Sequence, residues 1–218
     1  MRKTPLATDH IYHIFNRGVN KSKIFFSQRD YKRFLLAAKH YRIKNSKFSY
    51  VKPNNDPVSL ASPTASIEVN IQPKVEILAY CLMPNHFHFL IKQLSDGGIT
   101  FYMRRFMNSY AHYVNIKYKR VGPLFQGRFK SVLIESDEQL LHVSRYIHLN
   151  PLVSDLVSDL NEHPWSSYFA YVQNEKDGLS SPDLILNSFK TKKNYNQFLL
   201  DQEDYARSLE QIKHLVDF

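Results

Sequence analysis

The chain has 218 residues, a formal net charge of +9 and a hydrophobic fraction of 43%. This length and composition exclude wholesale disorder, because such a chain can bury a substantial core. No stretch approaches the roughly 20 apolar residues of a membrane span, and the N-terminal residues lack the apolar run of a secretory signal. Cys81 is the single cysteine, which excludes an internal disulfide. We therefore expect a cytoplasmic protein in which this thiol is a small buried hydrophobe.

The charge is distributed unevenly along the chain. Residues 1–150 carry 23 Lys and Arg against 9 Asp and Glu, a balance of +14, whereas the remaining 68 residues carry 6 against 11, a balance of −5. A basic body with an acidic tail is typical of a protein whose body binds a polyanion, although many basic proteins bind nothing in particular. The basic region also contains the candidate chemistry described below.

The hydrophobic pattern up to residue 150 predicts the element order strand-helix-strand-strand-helix-strand-helix. Alternating apolar residues predict strands over residues 10–16, 75–82, 86–92 and 128–134. Helices are predicted after capping boxes at Ser27 and Ser136, and after a turn at residues 96–98. This order is typical of an α+β fold with a central, mainly antiparallel sheet flanked by helices.

Two regions lie outside this pattern. Residues from about 50 to 73 contain four prolines among Ser, Asn and Thr, which predicts a loop insertion between the first helix and the second strand. We expect residues 1–165 to form one domain and residues 166–218 to form a mostly helical C-terminal extension. In that extension, Pro182 is placed to begin one helix and residues 205–209 lie within another.

His86 and His88 are the first candidate functional residues. Alternate residues of a strand share a face, so both imidazoles project together while Phe87 and Phe89 point into a core. The pair can hold one metal ion; equally, one histidine can belong to the core and the other to the surface. A single cysteine leaves too few soft ligands for a closed zinc site. We expect an open site for a divalent ion that also binds a phosphate oxygen, with Mg²⁺ or Mn²⁺ as the candidates.

Tyr146 is the candidate nucleophile among fourteen tyrosines. A phenol with an ordinary pKa of about 10 needs a nearby cation or base before it can attack. Asn150 lies one helical turn later, so its amide oxygen can bind the same ion. Because Asn150 precedes Pro151, we expect it at or near the helix end. His142 lies one turn before Tyr146 and could assist proton transfer, but a solvent-exposed position is the expected one.

Basic and aromatic residues interleave through the first 130 residues. The pattern is typical of a cationic groove in which single-stranded bases stack on aromatic rings, although it also fits a solvated surface. Gly127 would let backbone amides approach a phosphate closely. His13 and His148 are expected to be ordinary surface residues of a strand and a helix. The candidate DNA-binding residues are Arg17, Lys21, Arg104, Arg105, Lys119, Arg120, Gln126, Arg128 and Lys130.

Five ordered sequence blocks carry a resemblance to a known family. They are residues 12–18 (YHIFNRG), 83–88 (MPNHFH), 122–130 (GPLFQGRFK), 146–151 (YIHLNP) and 164–168 (PWSSY). On these blocks the chain resembles the HUH-superfamily single-tyrosine transposases, specifically the REP-associated tyrosine transposases, which are similar to insertion-sequence transposases. The resemblance implies a ferredoxin-like fold, and cleavage and rejoining of single-stranded DNA near hairpins through a 5′-phosphotyrosine.

The resemblance also implies roles for individual residues. His86, His88 and Asn150 would bind a divalent metal, Mg²⁺ or Mn²⁺, and Tyr146 would attack the phosphorus. The insertion-sequence relatives usually have glutamine at the position of Asn150. Those relatives exchange the tyrosine helix between subunits, whereas the REP-associated branch can act as a monomer, so monomer and homodimer both stay open.

Three other functions are compatible with parts of this pattern. A catalytically inactive DNA-hairpin-binding protein derived from such an enzyme would explain the charge and the aromatics. A hydrolase with an activated water would need a carboxylate near the histidines, and the nearest acids, Glu76 and Asp96, lie outside the motif. A rolling-circle replication initiator would use the same nucleophile. No phosphate-binding loop is present, which agrees with strand transfer that needs no ATP.

Overall fold

The computed structural model of the protein describes residues 5–42, 72–173 and 175–201. These ranges contain a four-stranded sheet, six α-helices and two short 3₁₀ turns at Val19–Lys21 and Leu160–Glu162. The strands are β1 (Ile11–Arg17), β2 (Val75–Met83), β3 (His86–Gln93) and β4 (Lys130–Leu133). The helices are α1 (Gln28–Tyr41), α2 (Gly98–Lys117), α3 (Asp137–Val153), α4 (Tyr168–Val172), α5 (Asp183–Leu186) and α6 (Lys192–Leu200).

The predicted order of elements up to residue 150 is confirmed. The sheet is antiparallel throughout, in the order β2-β3-β1-β4, so each of the two crossover helices connects strands that are not neighbours. This is the arrangement of a ferredoxin-like fold. The predicted loop at 50–73 lies almost entirely outside the described residues, and the predicted helix at 205–209 lies entirely outside them. None of the described helices is both long enough and apolar enough to cross a membrane.

One face of the sheet packs against α1 and α2. Tyr12 and Ile14 of β1 and Phe87 and Phe89 of β3 are buried there, as the period of two predicts for half-buried strands. The edge-to-face ring contacts of Phe34 with Phe106 and Tyr110 join the two helices over this face. The other face of the same strands is therefore left to the histidines and α3.

Asp30 links the start of α1 to the end of α2. The backbone N–H of Ser27 donates to its carboxylate at 2.9 Å, as the predicted capping box requires. Lys117 forms an ion pair with the same carboxylate, and the hydroxyl groups of Tyr113 and Tyr118 donate to it at 2.9 and 2.7 Å. Burial alone would raise the pKa of Asp30, but the hydrogen bonds from Lys117 and Tyr118 outweigh it and hold the pKa below its ordinary value.

The second face of the sheet packs against α3 and the C-terminal helices. A register shift between Ile77 and Ala79 of β2 marks a bulge, so Leu78 and Ala79 both reach this second core. Cys81 is buried in the same core, as predicted, and burial raises the pKa of its thiol. Residues of α3, α4 and α6 complete this core, which therefore joins the C-terminal helices to the sheet.

His148 connects α3 to the C-terminal helices. It is fully buried, so the expectation of a helix-surface position was wrong. Both ring nitrogens have partners, the Tyr195 hydroxyl at 2.8 Å and the Ser167 hydroxyl at 2.7 Å, and burial lowers the pKa of His148 to about 3. The neighbouring Arg145 donates to the carbonyl of Phe198 at 3.0 Å and lies over that ring at 3.9 Å. Helix α3 is thus held by the segment that follows it.

Candidate active site

His86 and His88 lie on the second face of the sheet, at the end where β1 stops and β3 starts. Their ring centroids are 4.9 Å apart, and the rings are nearly perpendicular. The intervening Phe87 is fully buried on the opposite face. The predicted shared orientation of the two imidazoles is therefore confirmed, and so is the predicted role of Phe87 in the core.

The orientation of the His86 ring is set by Asn85. The amide nitrogen of Asn85 donates to the carbonyl of Lys21 at 3.1 Å, which leaves the amide oxygen facing His86 Nδ1 at 2.6 Å. Because that oxygen can only accept, Nδ1 carries the proton. In a neutral ring Nε2 then presents its lone pair toward the amide oxygen of Asn150, which lies 3.4 Å away. Two electron-rich atoms facing each other favour a cation between them.

His13 holds the second histidine. Its Nε2 lies 2.9 Å from Nδ1 of His88, and the two ring centroids are 5.1 Å apart with the ring planes inclined by 23°. Burial lowers the pKa of His13 to about 4, so its ring is neutral near neutral pH and can accept the Nδ1 proton of His88. Accepting it would leave Nε2 of His88 available to a metal. The expectation that His13 is an ordinary strand-surface residue was wrong, because pairing of β1 with β3 places it beside the histidine pair.

Tyr146 lies beside these histidines, on α3. Its ring makes edge contacts with His88 at 5.4 Å and with His13 at 5.9 Å between centroids. The side chain is 40% exposed, which leaves room for a substrate. Asn150 follows one turn later, in the last turn of α3 as expected, although the helix continues through Pro151 to Val153. The structure therefore brings together all four residues that the sequence predicted for the reaction.

His142 takes no part in this cluster. It is exposed on α3, where Nδ1 lies 2.6 Å from the Arg145 guanidinium and Nε2 lies 3.8 Å from Glu138. The expected solvent-exposed position is confirmed.

One separation within the candidate donor set is compatible with a divalent metal ion. Two donors bound to one ion at about 2.1 Å lie about 3.0 Å apart at a right angle and about 3.4 Å apart at the tetrahedral angle. The 3.4 Å between His86 Nε2 and Asn150 Oδ1 falls at the upper end of that range. No group of three or more His, Cys, Asp or Glu side chains that could hold a metal occurs within residues 5–42, 72–173 and 175–201. The candidate set of His86, His88 and Asn150 is not such a group, because its third donor is an amide oxygen.

The predicted DNA-binding residues divide into three groups. Arg17 and Lys130 lie on the same sheet face as the histidines, and the guanidinium of Arg17 donates to Gln126 at 3.0 Å. Lys21, Lys119 and Arg128 are exposed, at the same end of the sheet or directly after α2, whereas Arg120, also after α2, is half-buried with its guanidinium over the Phe26 ring. Arg104 and Arg105 are on α2, in the layer behind the sheet, where Arg105 lies over the rings of Tyr41 and Phe101. The fold does not bring this last pair to the histidine face.

His13 and Asn85 were not among the predicted site residues. Asn85 sits next to His86 in the chain and belongs to the MPNHFH block, but the sequence alone gives this amide no role. His13 is separated from His88 by 75 positions, and only the strand register brings the two together.

Comparisons with known proteins agree with the fold. The family model for IS200-like transposases matches residues 55–150, somewhat less than half of the chain. A solved REP-associated tyrosine transposase bound to a REP hairpin superposes with a TM-score of 0.55 at 17% sequence identity, covering 84% of this chain and 88% of that one. No curated protein matches. The predicted resemblance is confirmed in two respects: residues 55–150 match the model of the IS200-like transposases, and the chain has the fold of that REP-associated tyrosine transposase.

Proposed function

We propose that the protein cleaves and rejoins single-stranded DNA near hairpins, with Tyr146 as the nucleophile and a divalent metal as cofactor. One observation carries the proposal. The Tyr146 ring contacts His88 and His13, while Asn150, one turn along the same helix, lies 3.4 Å from His86. A random tyrosine has no reason to lie one helical turn from an amide oxygen that faces one of two paired histidines.

In the proposed first step the phenolic oxygen of Tyr146 attacks the scissile phosphorus. A bond forms between phosphorus and the tyrosine oxygen, and the bond to the 3′-oxygen of the preceding nucleotide breaks. The phenol proton passes to solvent, which reaches this exposed side chain, and the leaving 3′-oxygen takes up a proton. In the second step a 3′-hydroxyl of another strand end attacks the phosphotyrosine and releases Tyr146. The phosphoester count is conserved, so no nucleotide cofactor is consumed.

His86 Nε2, His88 Nε2 and Asn150 Oδ1 would hold the metal, Mg²⁺ or Mn²⁺. When bound, the ion supplies positive charge beside the phosphate and stabilises the negative charge that develops in the transition state. Asn85 and His13 orient the two imidazoles from behind, through the 2.6 and 2.9 Å contacts described above.

We further propose that the nucleophile acts in cis, in a monomer. Tyr146 lies beside histidines of its own chain, and the buried contacts of Arg145 and His148 with the C-terminal helices hold α3 in that place. Exchange of α3 between two subunits would have to break those contacts, or carry the C-terminal helices along.

A covalent adduct is the direct test. The protein is incubated with a panel of single-stranded hairpin oligonucleotides and Mg²⁺ or Mn²⁺, and adducts are resolved on denaturing gels. Wild type is expected to form a protein–DNA adduct that Tyr146→Phe cannot form. Tyr118→Phe is the matched control, because it removes a tyrosine hydroxyl from the α1–α2 side of the molecule and is expected to retain the adduct.

The outcomes separate the candidate functions. An adduct that persists in Tyr146→Phe would refute the nucleophile. Hairpin binding without any adduct across the panel would favour the inactive DNA-hairpin-binding protein. Adduct formation by mixtures of Tyr146→Phe with His86→Ala, in which neither variant reacts alone, would refute the cis arrangement.

A further inference from the structure

Phe15 occupies an unusual place on the sheet. Strand pairing sets it directly opposite His88 of β3 on one side and Lys130 of β4 on the other. Directly opposed residues of an antiparallel pair point to the same face, so Lys130, Phe15 and His88 form one row across that face. The ring centroid of Phe15 lies 5.9 Å from that of His88 and 5.0 Å from that of His13.

The half of this sheet face that β1 and β4 form is more open than the half that α3 covers. Helix α3 packs on β2 and β3, and Val132 on β4, which shares the face and pairs with His13, is 48% exposed. Phe15 is only half-buried and belongs to neither hydrophobic core. Its ring is therefore a flat apolar surface beside the candidate metal site that packing alone does not explain.

Cations flank this ring. Lys130 is exposed beside it in the same row. Arg17, two residues along β1 and so on the same face, pairs in register with His86 and is oriented by Gln126. An aromatic ring between cations is the arrangement that holds single-stranded nucleic acid, because any base can stack on the ring while the cations neutralise the phosphates.

We propose that Phe15 is a stacking site for an unpaired nucleobase adjacent to the phosphate that Tyr146 attacks, with Lys130 and Arg17 contacting the phosphates that flank this base. The proposal rests on the function proposed above and specifies where its substrate lies. The distance from the Phe15 ring to the candidate metal site allows this contact. The 5.9 Å between the Phe15 and His88 rings lies between one and two base steps of about 3.4 Å each, so a base within two nucleotides of the bound phosphate can meet the ring.

The test uses binding, in the absence of cleavage. In a Tyr146→Phe background, the hairpin oligonucleotide that binds most tightly is labelled with 2-aminopurine at each single-stranded position next to the stem in turn. Stacking on Phe15 is expected to quench the fluorescence at one of these positions, and Phe15→Leu is expected to abolish the quenching. The same substitution is expected to weaken DNA binding by about 5- to 150-fold, the usual effect of losing one aromatic–base stack.

Three controls make the result specific. Phe15→Tyr keeps a stacking ring and is expected to retain affinity and quenching. Retained binding shows that β1 still folds when this residue is replaced. Phe101→Leu removes a half-buried phenylalanine on α2, behind the sheet, and is expected to leave both signals unchanged. An abasic site at the quenched position is expected to make wild type bind as weakly as Phe15→Leu does, because the stacking partner is then already missing.

Quenching at no position, or an unchanged affinity in Phe15→Leu, would overturn the proposal. Such a result leaves the proposed chemistry intact if the wild-type chain still forms its adduct. Conversely, if the wild-type chain never forms an adduct but shows the quenching, the stacking site is supported and the proposed nuclease activity is refuted.

Discussion

Replacing His13 with phenylalanine is expected to weaken Mn²⁺ binding by about tenfold. The substitution keeps a ring of similar size but removes the nitrogen that faces Nδ1 of His88 at 2.9 Å. Without that acceptor, the His88 ring is free to carry its proton on Nε2, the atom that would bind the ion. A lost hydrogen bond of about 0.5–1.5 kcal/mol corresponds to a factor of about 2 to 12. Loss of the partner behind a ligating histidine typically costs about 10- to 100-fold, so the two ranges meet near tenfold.

Titration calorimetry with Mn²⁺ measures this effect directly, without DNA and without turnover. His112→Phe is the matched control, since it makes the same substitution at an exposed position of α2 and is expected to leave the affinity unchanged. Circular dichroism checks that the His13→Phe chain remains folded. A folded His13→Phe variant that binds Mn²⁺ as tightly as wild type would refute the reasoning, because His88 would then need no partner to present its nitrogen.

Three further outcomes are expected elsewhere in the molecule. Asn85→Ala should weaken Mn²⁺ binding by about tenfold, because the His86 ring loses the amide oxygen that fixes its tautomer, and the same calorimetry reports it. Asp30→Asn should destabilise the fold by about 3–5 kcal/mol, because Lys117 loses its buried partner, and thermal melts should show this. Burial lowers the pKa of His148 to about 3. Below pH 6.5 the unfolded chain therefore takes up a proton on this histidine that the native chain does not. The free energy of unfolding consequently decreases as the pH is lowered. His148→Gln should remove about 2 kcal/mol of the stability difference between pH 7 and pH 5 in urea unfolding; an unchanged difference would show that His148 is not the group responsible.

Local sequence patterns predicted the elements of this fold well. The alternation in β3 correctly placed His86 and His88 on one face and Phe87 in the core, because the period of a strand depends only on neighbouring residues. The i to i+4 spacing likewise predicted that Tyr146 and Asn150 share a side of α3, and both lie at the histidines.

Properties that depend on residues distant in the chain were predicted poorly. The register of β1 against β3 decides that His13 contacts His88, and no local pattern encodes that register. His148 is buried because a helix almost fifty residues later packs over it, so its own surroundings on α3 gave a misleading surface assignment. Composition could not separate Arg104 and Arg105 from the cations at the site, because charge alone does not reveal which layer a residue occupies.

The contacts of α3 with later helices determine how far the chain can be shortened from its C-terminal end. The match to the IS200-like transposase model ends at Asn150, which suggests a truncation at that point. Such a fragment would lose Tyr195 and Phe198, which would expose apolar surface and remove a hydrogen-bond partner of His148 on the helix that carries Tyr146. A shortened version of the chain should therefore extend at least through α6, with any fusion partner joined beyond it.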